Sequence, residues 1–297
     1  MADQIQKVII AGGSGLIGKA LSKHLSEKGY EVSILSRNPK KILSYNAFYW
    51  NPEKMEMDEK AIQDQDIVIN LAGESIAAKY WTRKRKKQLI DSRVKPIELL
   101  QNALAKTENK PEKIISASAI GYYGNRPGEK LDEYAPPGKG FMSEICKRWE
   151  KAADNLAEPV IKLRIGIVLT AKGGYLPQMQ KILKKGFNVI LGSGKQRVSW
   201  IHMKDLIAAI EFLLLNEETE GVYNLTTPNS VDTYEMQVQI AKTIGKTPIK
   251  FRIPSKPIKV LMGDFSELFL NDQNIYPERL LKTGFSFKYA NLNDALQ

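Results

Sequence analysis

Three observations predict an α/β fold built on a doubly wound parallel sheet, with a smaller α/β lobe appended. Apolar, β-branched runs recur from Val8 to Ile165, stretches with helical spacing separate them, and the first run breaks into glycines where its strand should turn into a helix. The runs are Val8–Ile10, Val32–Leu35, Ile67–Leu71, Ile114–Ala117 and Val160–Ile165. The helical stretches include Leu16–Lys28, Arg83–Leu104 and Met142–Leu156. Strands that alternate with helices pair in parallel, because each crossover helix carries the chain back to the end from which the next strand starts.

The first strand and helix are joined by the run Val8-Ile-Ile-Ala-Gly-Gly-Ser-Gly-Leu-Ile-Gly18. Gly12 suits the tight turn out of the strand, Gly15 lets a backbone approach a pyrophosphate with no Cβ in the way, and Gly18 lets the helix pack closely on the strand. With Ser14, Leu16 and Ile17 these glycines form a predicted phosphate-binding turn. The phosphates rest on the helix amino end, where unpaired N–H groups and the positive end of the macrodipole favour an anion. A glycine turn that binds nothing is the alternative. A strand before it and an amphipathic helix after it favour the dinucleotide site.

One βα unit later, Glu31–Leu35 reads as a buried strand that ends in Ser36 and Arg37. An NAD-binding protein places an acid there for the ribose hydroxyls, and an acid repels a 2′-phosphate. A guanidinium fork binds one, so Ser36 and Arg37 predict NADP(H). A dinucleotide-binding Rossmann domain is therefore expected over residues 1–169, with 198–225 returning to it. Residues 170–297 are expected to form mainly a substrate lobe that includes a C-terminal domain at 253–297. Within that lobe the sequence shows Gly173-Gly174, a helical Tyr175–Lys185, the loop Gly192-Ser193-Gly194, and turn signals at Thr226-Thr227-Pro228-Asn229 and Ile253-Pro254.

Composition narrows the classes. A chain of 297 residues that is 43% hydrophobic buries a full core. Its 44 cations against 33 acids leave a net charge of +11, which suits an anionic ligand but does not choose between nucleotide, nucleic acid and membrane surface. A single cysteine, Cys146, excludes an internal disulfide framework, and two histidines leave no zinc-ligand spacing, so no metal is expected. No stretch approaches the roughly 18 consecutive apolar residues of a membrane span, and the amino terminus carries no signal-peptide core. The reading is a cytoplasmic protein with no membrane partner. The run Arg83-Lys84-Arg85-Lys86-Lys87 raises nucleic-acid binding, but the following Leu89, Ile90 and Val94 make it the solvated face of a helix.

These residues resemble the extended short-chain dehydrogenase/reductase superfamily, and within it the atypical, epimerase-like subgroup with a C-terminal domain of unknown function. The resemblance rests on an ordered set: Ala11–Gly18, Ile69–Ile76, Trp81–Lys87, Ser92-Arg93, Ser116–Gly124, Trp149-Glu150, Arg164–Leu169, and Ser199–His202 with Asp205. The tail, with Tyr276–Leu281 and Gly284-Phe285, resembles that subgroup's C-terminal domain. The resemblance implies that Leu71, Ala72, Gly73 and Glu74, which follow Asn70 at a strand end, lie along the adenine-ribose and pyrophosphate side of NADP(H). It also implies that Arg93 and Arg164 are cofactor-side or substrate-side cations, with a structural salt bridge as the alternative for each.

Catalysis turns on an absence. Enzymes of the superfamily use a Tyr and a Lys four residues later, the Lys lowering the phenol's pKa. Aligned on Glu150, those positions fall on Met142 and Cys146. Ser118 matches the superfamily's active-site serine. The proton donor is then sought among Tyr122, Tyr123, Glu74, Cys146 and His202, with Tyr122 and Tyr123 alongside Ser118 as the catalytic candidates. Lys195 and Arg197 resemble cations of a loop that holds the distal part of a substrate, with a hairpin loop carrying solvated cations as the alternative, and Asp205 is expected to cap a helix over Leu206–Leu215. The implied activity is an NADP(H)-dependent, epimerase-like oxidoreductase acting on a small molecule, anionic or sugar-nucleotide-like. A non-catalytic NADP(H)-binding redox sensor or scaffold stays open beside it.

Overall fold

The computed structural model describes residues 6–156 and 159–297. Its first strands are β1 (Lys7–Ala11), β2 (Glu31–Ser36), β3 (Asn46–Asn51), β4 (Glu56–Met57), β5 (Ile67–Asn70), β6 (Lys113–Ala119), β7 (Lys130–Leu131) and β8 (Val160–Ile165). Then follow β9 (Ile167–Leu169), β10 (Phe187–Leu191), β11 (Arg197–Val198), β12 (Trp200–His202), β13 (Gly221–Leu225), β14 (Val231–Asp232), β15 (Ile249–Ile253) and β16 (Asn274–Ile275). The longer helices are α1 (Leu16–Glu27), α2 (Arg83–Ala105), α3 (Phe141–Ala153), α4 (Tyr175–Leu183), α5 (Met203–Leu215), α6 (Thr233–Thr243) and α7 (Ser255–Met262).

Eight strands make one sheet in the order β13-β8-β6-β5-β1-β2-β3-β4. β1 pairs in parallel with β2 on one side and β5 on the other, and the parallel pairing continues to β3 and β6. β4 closes one edge antiparallel to β3. The connections run outward in opposite senses from β1 and β5, and this reversal opens a crevice beyond their carboxyl ends. Val8, Ile9 and Ile10 are wholly buried, as strands covered on both faces require. On α1 the buried positions are Gly18, Leu21, Ser22 and Leu25, one stripe of a helix, and each leucine contributes about 2 kcal/mol by leaving water. α2 is capped by Thr82, whose Oγ1 accepts the Arg85 N–H at 3.1 Å.

The chain divides into two compact units. One comprises the residues through Ser118 with Lys147–Leu163 and Ile210–Val222; the other comprises Ala119–Cys146, Arg164–Ala209 and Tyr223–Gln297. This partition interleaves more than a break after Leu169. Residues 119–146 cluster with the second unit, and of 198–225 only 210–222 cluster with the first. Pairings between residues far apart in sequence decide this, and periodicity carries no trace of them.

In the second unit Leu169, Leu176, Leu183, Trp200, Met236 and Ile240 form a core that the chain's end joins through Leu292 and Ala295. A second cluster holds Ile120, Tyr123, Leu131 and Ile275, because β16 pairs in parallel with β7. The Gln273 amide fastens the same region by donating to the carbonyls of Ile120 at 3.0 Å and Gly124 at 2.9 Å. Asp205 does not cap a helix that begins at Leu206. α5 begins at Met203, which puts Asp205 inside its first turn, and the carboxylate accepts the backbone N–H groups of Lys288 at 3.1 Å and Tyr289 at 2.8 Å.

Candidate functional site

A cavity of about 670 Å³ occupies the crevice of the first unit. The Leu71 N–H donates to the Ala11 carbonyl at 2.8 Å, which holds the ends of β1 and β5 together. Gly12 turns there with φ +79°, and a Cβ on it would meet the Leu71 carbonyl at 2.8 Å. A Cβ on Gly18 would collide with the Gly12 oxygen, so α1 lies against the turn only because residue 18 has no side chain. Gly15 differs: its backbone is extended, and the one atom near its missing Cβ is the Gly12 oxygen at 3.2 Å. α1 has neither a side-chain cap nor an acid in its first turn among the described residues, which suits its leading amides to an anion. Gly12, Ser14 and Gly15 line the cavity, whereas Leu16, Ile17 and Gly18 support it from within α1.

Ser36 and Arg37 form a second wall. Arg37 is exposed, and its guanidinium has no partner among the described residues. Ser36 Oγ accepts the Asn38 N–H at 3.1 Å. Trp50, Pro52 and Glu53 reach the same cavity from the end of β3 and the turn that follows, and sequence reasoning missed them. The signal was the aromatic-rich stretch Phe48-Tyr49-Trp50 closed by Asn51-Pro52.

Leu71, Ala72, Gly73 and Glu74 make the third wall, on a loop laced to α2. Asn70 Oδ1 accepts the Ala72 N–H at 3.1 Å, and the Glu74 N–H donates to Ser92 Oγ at 3.2 Å. Arg93 donates to the Glu74 carbonyl at 3.0 Å, Arg85 pairs with the Glu74 carboxylate and donates to the Ser75 carbonyl, and Trp81 Nε1 donates to the Ile76 carbonyl at 2.9 Å. Arg93 is buried, lies over the Trp149 ring at 5.0 Å and does not line the cavity. Within the basic run Arg85 is buried, while Arg83, Lys84 and Lys87 are exposed. Gln88, Asp91, Ser92 and Lys95, one face of α2, complete the wall and were also missed.

Ser118, near the carboxyl end of β6, is buried, and its hydroxyl donates to Oε1 of the buried Glu150 at 2.7 Å. In the second unit Tyr123 is buried; its hydroxyl donates to Asn224 Oδ1 and accepts from Arg164 Nη1, both at 2.8 Å. Burial pushes the Tyr123 phenol far above its ordinary range, against the opposing pull of Arg164. Arg164 lies over the Tyr122 ring at 3.4 Å, and the Tyr122 hydroxyl has no partner among the described residues. Glu133 accepts the backbone N–H of Asn224 at 2.9 Å, and burial raises its carboxyl above the usual carboxylate range. Met142 and Cys146 face the turn that carries the two tyrosines: a Cβ on Gly121 would lie 3.0 Å from Met142 Cε and 3.4 Å from Cys146 Sγ.

His202 packs against Tyr289 with ring centroids 4.0 Å apart, its Nδ1 accepts the Lys204 N–H at 3.3 Å, and burial lowers its pKa. Arg197 is committed to Ser230, whose Oγ accepts from Nε at 3.1 Å and whose carbonyl accepts from Nη2. Lys195 stays exposed, with its ammonium unpartnered among the described residues.

The strand reversal, the glycine turn at its centre and the uncapped helix that follows define a doubly wound α/β protein of the Rossmann type. The chain belongs to the NAD dependent epimerase/dehydratase family, whose model matches residues 8–226, and residues 253–297 match a domain of unknown function, DUF1731. It is thus an extended short-chain dehydrogenase/reductase of epimerase type. It is 35% identical over 294 residues to the Epimerase family protein Mb2239 of Mycobacterium bovis, covering 97% of this chain and 96% of the relative. The crystal structure of human epimerase family protein SDR39U1 (isoform2) with NADPH matches with a TM-score of 0.85 at 27% identity, covering 98% of each chain. The Thermus thermophilus UDP-glucose 4-epimerase complex with NAD shares the fold, with a TM-score of 0.76 at 18% identity, covering 98% of this chain and 97% of that one.

Proposed function

We propose that this chain is an NADP(H)-dependent, epimerase-like oxidoreductase whose first unit holds the cofactor and whose second unit supplies the substrate lobe. Its substrate is a small molecule, anionic or sugar-nucleotide-like. One observation carries the reading: the unpartnered Arg37 guanidinium and the uncapped start of α1 line the same cavity, two anion sites for a ligand with two phosphate positions. The NADPH in the human relative's structure supports the same cofactor here. The residues present fit it, since Gly15 leaves room for a pyrophosphate where a side chain would intrude.

When bound, the nicotinamide supplies the hydride acceptor or donor. Ser14, Gly15 and the first amides of α1 hold the pyrophosphate, Ser36 and Arg37 hold the 2′-phosphate, and Leu71 to Glu74 border the adenosine side. Arg93 acts through the Glu74 carbonyl and Arg164 through Tyr123, so both are positioning residues. Ser118 already donates its proton to Glu150, which leaves its oxygen to accept from a substrate hydroxyl. Tyr122, with a free hydroxyl under Arg164, is better suited to exchange a proton than Tyr123, which holds its own tightly. The basic run has no nucleic-acid role in this reading: Arg85 is committed to Glu74 and Lys87 pairs with Asp91 on the same helix. A lone, buried Cys146 supports a reducing, cytoplasmic setting.

A second reading, an NADP(H)-binding sensor, is favoured by Met142 and Cys146, which cannot replace a Tyr and Lys pair. Fluorescence titration with NADPH and NADH, followed by NADPH consumption over a panel of carbonyls and sugar nucleotides, separates the two. Tighter NADPH binding with turnover of a panel member is expected. Equal affinity for both cofactors overturns the cofactor assignment, and tight binding without consumption moves the sensor ahead.

A further inference from the structure

β15 wears its pattern inside out. It alternates Ile249, Phe251 and Ile253 with Lys250 and Arg252, and on a core-packed sheet the apolar set would face the protein. Here the basic set shares the side of the buried Asn188 and Ile190, although its own side chains stay exposed: Arg252 donates to the carbonyls of Gly192 at 2.9 Å and Ser193 at 2.7 Å, and the Lys250 ammonium lies 4.6 Å from the centre of the Tyr234 ring. β10 pairs in parallel with β15, matching Phe187 to Ile249 and Val189 to Phe251, so these four share the opposite face. Phe187, Ile249 and Phe251 are 55%, 71% and 59% exposed, whereas Asn188 and Ile190 on the inner face of β10 are buried. α7 follows after Pro254 alone and buries Ile258, yet leaves Val260 85% and Leu261 77% exposed.

Charge says what covers this surface. The two stretches that contribute to it, 181–191 and 242–262, hold no carboxylate and, besides Lys250 and Arg252 on the opposite face, seven lysines. A second copy would bring the same cations against it, and a nucleic acid offers phosphates but no apolar counterpart for Val260 and Leu261. An anionic phospholipid surface supplies both, phosphates for the lysines and the acyl boundary for the apolar side chains. We propose that this face docks the protein peripherally on anionic membrane. No helix among the described residues is long and apolar enough to cross one. The sequence reading expects no membrane partner because it seeks one contiguous apolar run, and these exposed apolar residues come from three elements. The inference stands independently of the cofactor assignment.

Co-sedimentation of the full chain with vesicles of phosphatidylcholine alone, and of equal parts phosphatidylcholine and phosphatidylglycerol, tests it. Binding to the second only is expected. It should fall about tenfold or more in a Val260→Ser, Leu261→Ser double variant, and comparably in Lys256→Gln, Lys259→Gln or at high salt. Circular dichroism and the thermal midpoint report that these exposed substitutions leave the fold intact. No binding to anionic vesicles at low salt overturns the proposal. So does undiminished binding by the serine variant, which reduces the effect to charge, or a dimer in light scattering that the same variant dissolves.

Discussion

The Ser118 hydroxyl donates to Glu150 Oε1 at 2.7 Å, and both side chains are shut away from water. Ser118→Ala leaves a buried carboxylate short of a donor and should cost about 1–3 kcal/mol of stability in urea denaturation. Adding Glu150→Gln should recover part of that loss, since a neutral amide needs the donor less. Under the oxidoreductase reading, turnover should fall more than NADPH affinity does. Stability unchanged by Ser118→Ala would contradict the geometry.

Arg37→Asp should reverse the cofactor preference, weakening NADPH by about tenfold or more, because a carboxylate repels the 2′-phosphate and accepts from ribose hydroxyls. Titration of wild type and variant with both cofactors decides it. A variant that keeps the NADPH preference would mean that the phosphate is read elsewhere in the cavity.

Two glycines beside the same turn oxygen should answer differently to substitution: a Cβ at Gly15 would lie 3.2 Å from the Gly12 oxygen, whereas one at Gly18 would overlap it. Gly15→Val is expected to fold and bind no NADPH, since its side chain occupies ligand space. Gly18→Val is expected to lose several kcal/mol, on the order of a severe core clash, with or without ligand. Paired thermal melts and NADPH titrations distinguish these outcomes, and a Gly15→Val protein that binds normally would remove the pyrophosphate from this turn.

His202 gives stability a pH slope of definite sign. Its folded pKa lies below the unfolded value, so the unfolded chain binds more protons in that window and stability rises with pH up to the ordinary histidine range. Protonation must also break the bond that Nδ1 accepts from the Lys204 N–H. The thermal midpoint should therefore gain more between about pH 5 and about pH 7 in wild type than in His202→Phe, which keeps the contact with Tyr289. Parallel slopes would rule this out.

The parallel sheet and the glycines at 12 and 18 were legible because each reflects a local rule: buried strands read as apolar runs, and a turn against backbone tolerates no Cβ. Arginines were not. Arg85, Arg93, Arg164 and Arg197 look alike in sequence, yet each is spent on carbonyls, a carboxylate or rings inside its own unit, whereas Arg37, which lines the cavity, has no partner among the described residues. Which guanidinium stays free depends on contacts spaced tens of residues apart. Trp50 and Glu53 escaped notice for a related reason, because β3 has aromatic rather than aliphatic character and its place at the cavity is set by its pairing with β2 and β4. The outward face of β15 was hidden by its own regularity, since alternation fixes which residues share a face and leaves open which face meets water.

The loop after β5 is fastened to α2 by Arg85, Arg93 and Ser92 at Glu74 and Ser75, and to the segment that leads into α2 by Trp81 at Ile76. Ordering a free loop of this kind on ligand arrival subtracts on the order of 1 kcal/mol or more per immobilised residue from affinity. Here that ordering is completed during folding, so a ligand arriving at Leu71 to Glu74 meets a stationary wall. Loosening it by Arg85→Ala should therefore show itself chiefly as an entropic loss in calorimetry, at a position that no ligand need touch.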